Sequence, residues 1–90
     1  MDEIELGKRQ AKAGQAYELL NSPLLTETFA KLHAEYINSW RLTTAANTAE
    51  RERLFMAVRV LDTVRDHLVK LVNDGKIASK DLANIKYLKR

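Results

Sequence analysis

The apolar residues of this chain recur mostly at three- and four-residue steps, which is the period of an amphipathic helix. The broadest run comprises Leu54, Ala57, Val58, Leu61, Val64, Leu68, Leu71 and Val72. A narrower stripe of large side chains precedes it and comprises Leu25, Phe29, Leu32, Tyr36 and Trp40. Only a short connection separates the two stripes, so the pattern predicts two helices packed as an antiparallel hairpin.

Local signals place the beginnings of both hairpin helices. Ser22 is suited to cap a helix whose first residue is Pro23, because proline at that position loses no intrahelical hydrogen bond. The first hairpin helix is therefore predicted at about 23–42. The start of the second hairpin helix is predicted from two possible caps: Asn47, followed three residues later by Glu50, or Thr48, with Glu50 just inside the helix.

The second hairpin helix is predicted at about 48–74. It should end there because Gly75 is the residue type that most readily ends a helix. Ser79, with Asp81 two residues on, then predicts the cap of a short C-terminal helix. Its apolar side comprises Leu82, Ile85 and Leu88.

The N-terminal segment carries a weaker helical pattern. Acidic residues stand at its start, where carboxylates favour a helix N-terminus, but Gly7 and Gly14 interrupt it. Residues 1–20 are therefore predicted to form a helical arm that orders against a partner. Taken together, residues 1–90 are predicted to form one small all-α domain.

The face of the second hairpin helix is broader than one facing helix covers. Val60 and Val69 widen its apolar side, and Phe55 and Met56 lie outside it. Arg65 falls within it, where a charge needs a partner: its stem covers apolar surface while the guanidinium reaches solvent or pairs with a carboxylate such as Glu35 of the facing helix, or it reaches a partner chain. Trp40, which ends the first stripe, either seals the end of the hairpin or contacts a partner, since tryptophan is the residue type most enriched at the energetic centres of interfaces. These six residues are the predicted interaction surface, and they predict self-association or attachment to a larger protein assembly.

Composition narrows the classes of partner. The net charge is only +3 and the two signs are interspersed, which is typical of a solvated helical surface and not of a nucleic-acid interface. Lys86, Lys89 and Arg90 form the one basic cluster, and they are the candidate contacts if nucleic acid is a partner. The charged N-terminal residues predict neither a signal peptide nor a membrane span, and no membrane partner is expected.

No residue pattern indicates catalysis. His33 and His67 are not spaced as metal ligands, the serines lack a nucleophile motif, and no glycine-rich phosphate loop is present. The absence of cysteine removes disulfides and thiolate metal sites from consideration. We therefore expect no enzyme activity, no metal, no cofactor and no small-molecule substrate.

One stretch resembles small uncharacterised helical proteins encoded by tailed bacteriophages and prophages. It begins with Tyr36-Ile37-Asn38-Ser39-Trp40-Arg41 and continues through Thr43 and Thr44 into NTAERERLFMAVRVLDTVRDHLVKLVNDGKI. The resemblance covers residues 24–82, and the matching positions are Trp40, Thr48, Arg51, Glu52, Leu54, Gly75 and Lys76. It implies a phage origin and a place among head or packaging genes, but it transfers no activity.

The expected function is that of a phage-encoded structural or assembly accessory protein that acts by protein–protein contact. It would then be located in the virion or the host cytoplasm. Two alternatives remain open. One is a small phage regulator or inhibitor that docks on a host protein, and the other is a nucleic-acid-binding packaging accessory.

Overall fold

The computed structural model describes the backbone of residues 2–88 and the side chains of residues 2–85, and within that range it contains three helices and no strand. The helices are α1 (Glu3–Leu20), α2 (Pro23–Arg41) and α3 (Thr48–Leu88). The all-α prediction is therefore confirmed. With 41 residues, α3 is about 60 Å long and spans the whole molecule.

Both shorter helices lie along α3 and run antiparallel to it. The α1 side chain Gln10 meets Ser79 near the C-terminal end of α3, whereas the α2 side chain Trp40 lies over Arg51 near its beginning. α1 and α2 make little contact with each other. The molecule is thus one long helical hairpin in which one arm is broken between α1 and α2.

Side-chain caps fix the helix starts where the sequence predicts them. The side-chain oxygens of Asp2, Ser22 and Asn47 each accept a hydrogen bond from the backbone N–H three residues later, at 2.7, 3.4 and 3.4 Å. Each bond satisfies one of the N–H groups that the first turn of a helix leaves without an intrahelical partner. The predicted starts of α2 and α3 are therefore confirmed.

The predicted helix end at Gly75 is wrong, and so is the separate C-terminal helix that would follow it. α3 continues through Gly75 to Leu88, and no glycine among the described residues has a positive φ. Gly75 is instead buried against α1, where a Cβ atom would overlap the Cβ of Ala13. The glycine thus allows two helices to approach closely. Ser79 lies within α3 and is not a helix cap; its Oγ accepts a hydrogen bond from Nε2 of Gln10 at 2.7 Å.

The buried core lies between α1 and the C-terminal half of α3. Among the described residues, the fully buried apolar side chains are Leu6, Ala16 and Ala78, and Ala78 is 0% exposed. α1 also contacts α3 more extensively than α2 does. The element that α1 contacts is therefore α3 of its own chain, and ordering of α1 by another protein stays a prediction.

The hairpin is a slab, one helix thick and two helices wide. Its principal extents are 68 × 25 × 14 Å, and its radius of gyration is 19.2 Å. A compact chain of this length would have a radius of gyration of about 12 Å. The accessible surface is 7195 Å², whereas a compact protein of 10.3 kDa exposes about 5,400 Å². Both broad faces of the slab are consequently open.

Candidate interaction surface

Large apolar side chains remain exposed on all three helices. Among the described residues they are Ile4, Tyr17, Leu19, Leu24, Ile37, Trp40, Phe55, Met56, Val60, Val64 and Ile77, together with Leu42, the C-cap of α2. Four of the six residues predicted as the interaction surface are in this set, and the most exposed of the four is Val60, at 57%. Of the other two, Arg65 is exposed and Val69 is half-buried.

Helical phase divides the exposed residues of α3 between the two broad faces. Phe55, Asp62 and Val69 are seven residues apart, so they project to the same side, which we call the front face. Val60 and Val64 each lie two residues from Asp62, about 200° around the helix, and they project to the opposite side, the back face. The predicted interaction residues of α3 therefore do not form one patch.

The front face contains an apolar groove at the junction of α1 and α2. Its volume is about 350 Å³, and its apolar lining includes Leu19, Leu20, Leu25, Phe29, Leu61 and Val69. A shallower hollow over Ala34 and Ile37 adjoins it, because Ala30 and His33 line both. The two depressions form one trough along α2, and both helices of the hairpin contribute apolar atoms to it.

Charged groups of both signs stand at the side of this trough. The Nε2 atom of His33 lies 3.8 Å from Oδ1 of Asp62, and this contact is an ion pair only when the imidazole is protonated. Arg65 is one helical turn beyond Asp62 and also borders the groove. Arg65 therefore lies at the edge of an apolar surface, with its charged end exposed to solvent.

The main apolar stripe of the back face lies on α3, and α2 adds Leu24, which is one turn from Thr28 and 75% exposed. Met56, Val60 and Val64 form a stripe at four-residue steps on α3, and all three are largely exposed. The α2 residues on this side include Thr28 and Glu35, which lie two residues from Ala30 and Ile37 and so project away from the trough. Since Thr28 and Glu35 are polar and exposed, the apolar back-face surface is narrower than the front-face trough.

Trp40 already has partners within its own chain. The Arg51 guanidinium lies 4.2 Å from the centre of its ring, and Nη1 of Arg51 donates a hydrogen bond to Oγ1 of Thr43 at 3.0 Å. That hydroxyl in turn donates to the carbonyl oxygen of Trp40 at 2.6 Å. These contacts connect the end of α2 to the beginning of α3. With 39% of its surface exposed, Trp40 also remains accessible.

The front-face aromatic residue Phe55 has a weaker internal contact. The guanidinium of Arg59 lies 5.9 Å from the centre of its ring, close to the distance limit of a cation–π interaction. Phe55 is still 54% exposed. Its ring is therefore available to a partner on the same side as the trough.

The predicted nucleic-acid cluster falls at the edge of the described structure. Lys86 belongs to the last turns of α3, but its side chain is outside the described part, and Lys89 and Arg90 lie wholly outside it. The prediction that these three residues would contact nucleic acid therefore stays a prediction.

Sequence reasoning missed several residues of the trough. Leu19 lies near the end of α1, and Ala30, Ala34 and Ile37 belong to α2 but not to its stripe of large side chains. The available signal was the spacing of Ala30, Ala34 and Ile37, which repeats every three or four residues beside that stripe. Val64, which the pattern places on the buried side of α3, is instead exposed on the back face.

Neither a metal cluster nor a membrane span is found in the described part of the chain. Residues 2–85 contain no group of three or more His, Cys, Asp or Glu side chains placed to hold a metal ion. No helix in the described range is long and apolar enough to cross a bilayer. Comparisons of the chain with protein-family models, with characterised proteins and with solved structures gave no match.

Proposed function

We propose that this chain is a small structural or assembly accessory protein that acts by protein–protein contact. The observation that carries the proposal is the open apolar surface on both broad faces of the slab, with the trough on the front face and the Met56–Val60–Val64 stripe on the back face. Exposed apolar patches of this kind mark interfaces in helical proteins.

The shortage of buried surface supports the same proposal. Folded domains are usually built from two or more packed layers, because each element must bury its apolar side. This hairpin has one layer, and among the described residues only Leu6, Ala16 and Ala78 are fully buried apolar side chains. A partner that covers either face would supply the missing second layer.

The setting that we propose is a tailed bacteriophage, with the protein in or attached to the virion. Its support is the resemblance of residues 24–82 to small phage and prophage proteins. A regulator that docks on a host protein would use the same apolar surfaces, but it would form a complex of small, fixed size. The size of the assembly therefore distinguishes the two functions.

The proposal can be tested by velocity sedimentation of a cell lysate. The cells should express the protein together with its neighbouring genes. Mass spectrometry of the fractions should find the chain at many copies in particles far larger than a dimer. Recovery of the chain only in small complexes would contradict the assembly role and favour the regulator.

A charged substitution on the back face provides the matched test. Val60→Glu should remove the chain from the large particles, because it places a carboxylate in the centre of the exposed stripe. Ala11→Glu is the control, since Ala11 lies five residues from both Leu6 and Ala16, about 140° around α1, and projects away from α3. If both variants stayed in the particles, the back face would not be the attachment surface.

A further inference from the structure

We infer that the front-face trough is the docking surface for a second copy of this chain, so that two hairpins stack face to face as a four-helix bundle. The inference rests on the proposed function, which requires protein–protein contact, and it names the partner and the face. The back-face stripe then remains free for a larger assembly.

The area left open matches what such a dimer needs. The chain exposes 7195 Å², which exceeds the surface of a compact protein of its mass by about 1,800 Å². A stable interface removes about 800 Å² from each partner. One broad face covered by a second copy would therefore remove an area equal to about half of this excess.

The shape of the slab also fits a second copy. Four-helix bundles contain two layers of two helices, with neighbouring helices about 10 Å apart. This chain supplies one such layer, 25 Å wide and 14 Å thick. Two identical layers complete the bundle without any further element.

The trough is complementary to itself. A twofold interface joins the same patch of both copies, so that patch must contain both projections and depressions. On the front face, Phe55 is 54% exposed, while the small side chain of Ala30 leaves room in the groove for a side chain of the other copy. On the back face, α2 presents one exposed apolar side chain, Leu24, beside the polar and exposed Thr28 and Glu35, and no apolar groove adjoins them.

The charges beside the trough are arranged in the same self-complementary way. Asp62 and Arg65 lie one turn apart on α3. Consider a twofold axis that lies in the plane between the two layers and passes over α3, at right angles to it, between these two residues. This axis places Asp62 of each copy opposite Arg65 of the other. Because His33 is beside Asp62, the same axis passes over α2 close to His33. Ala30 is one turn from His33, so the two Ala30 residues of the dimer lie near each other.

Two substitutions two residues apart on α2 test the assignment. Ala30→Glu places a carboxylate in the trough, and Thr28→Glu places the same group on the back face. Both positions are exposed, so neither change disturbs the packing within one hairpin. In analytical ultracentrifugation the parent chain and Thr28→Glu should form dimers of equal affinity. Ala30→Glu should raise the dimer dissociation constant by about 100-fold or more, because the twofold axis brings the two new carboxylates near each other in an interface that excludes water.

Cysteine cross-linking gives an independent reading, because the chain has no native cysteine. Ala30→Cys should form an intermolecular disulfide under mild oxidation, and Thr28→Cys should not. Circular dichroism of each variant checks that the helices are retained. If Ala30→Glu loses helicity, the cross-linking pair alone decides.

Three results would overturn the inference. They are a helical monomer at 100 µM and above, an oligomer that Ala30→Glu leaves unchanged, and equal cross-linking of the two cysteine variants. A helical monomer that still sediments with large particles would remove only the second copy as partner and would leave the proposed function standing. A helical monomer found in no particle would contradict both proposals.

Discussion

Replacing Gly75 with alanine tests the closest contact between α1 and α3. An alanine Cβ at this position would overlap the Cβ of Ala13, and the Cα of Ala13 and the carbonyl oxygen of Arg9 lie 3.5 Å from it. None of these atoms is the mobile end of a long side chain. The two helices must therefore move apart, and the buried residues Ala16 and Ala78, one turn from Ala13 and Gly75, lose part of their packing.

The expected magnitude follows from two opposing terms. Overpacking of a close contact costs about 1–3 kcal/mol, and the direct overlap with the Cβ of Ala13 puts this contact in the upper part of that range, at about 2–3 kcal/mol. In the opposite direction, alanine in place of glycine within a helix raises the free energy of unfolding by about 1 kcal/mol, because alanine has the higher helix propensity. Gly75→Ala should therefore lower the free energy of unfolding by about 1–2 kcal/mol, which lowers Tm by roughly 4–16 °C for a chain of this size.

Gly14→Ala is the matched control, because no atom lies within 4 Å of the Cβ that it would add. It should raise the free energy of unfolding by up to about 1 kcal/mol. Both variants should be compared in urea unfolding at one chain concentration, since association also changes apparent stability. The double variant Ala13→Gly/Gly75→Ala should recover part of the loss, because it removes the overlapping Cβ from α1. Gly75→Ala with the stability of Gly14→Ala would refute the close approach of α1 and α3.

Three further predictions concern the α2–α3 end of the hairpin and the basic tail. Arg51→Ala should lower the free energy of unfolding by about 1–2 kcal/mol, because it removes the contact with Trp40 and the hydrogen bond to Thr43; an unchanged urea midpoint would contradict this. Leu61→Ala, at a half-buried position, should cost about 1–3 kcal/mol in the same assay, and parental stability would show that α2 and α3 pack differently. Duplex DNA binding should be weak and should fall about 40-fold between 50 and 200 mM salt if Lys86, Lys89 and Arg90 provide three phosphate contacts; sub-micromolar affinity at the higher salt would contradict it.

The sequence predicts the features of this fold that depend on neighbouring residues. Ser22 and Asn47 act as caps through hydrogen bonds that reach only three positions along the chain. The stripe from Leu25 to Tyr36 becomes half-buried because helical phase alone puts its members on one side. Such features need no knowledge of the tertiary structure.

Gly75 shows why the rest was not predictable from local pattern. A glycine that ends a helix and a glycine that allows two helices to approach have the same residue type, and here Asn73 and Asp74 strengthen the first interpretation. The contact that decides between them involves Ala13, which lies far away in the sequence. The trough could not be predicted from local pattern for the same reason. Leu19, Ala30 and Val69 become neighbours only when all three helices have packed.

The break in the first arm and the groove have a common physical basis. α1 meets α3 through small residues such as Ala13, Ala16 and Gly75, and these allow the helix axes to approach closely. α2 meets α3 through larger side chains, such as Phe29 and Leu61, which hold the axes farther apart. The change from small to larger contact residues coincides with the break at Ser22 and Pro23, where Ser22 has an extended backbone. The groove opens at that same junction, so the feature that ends one helix also forms the surface on which we place the second copy.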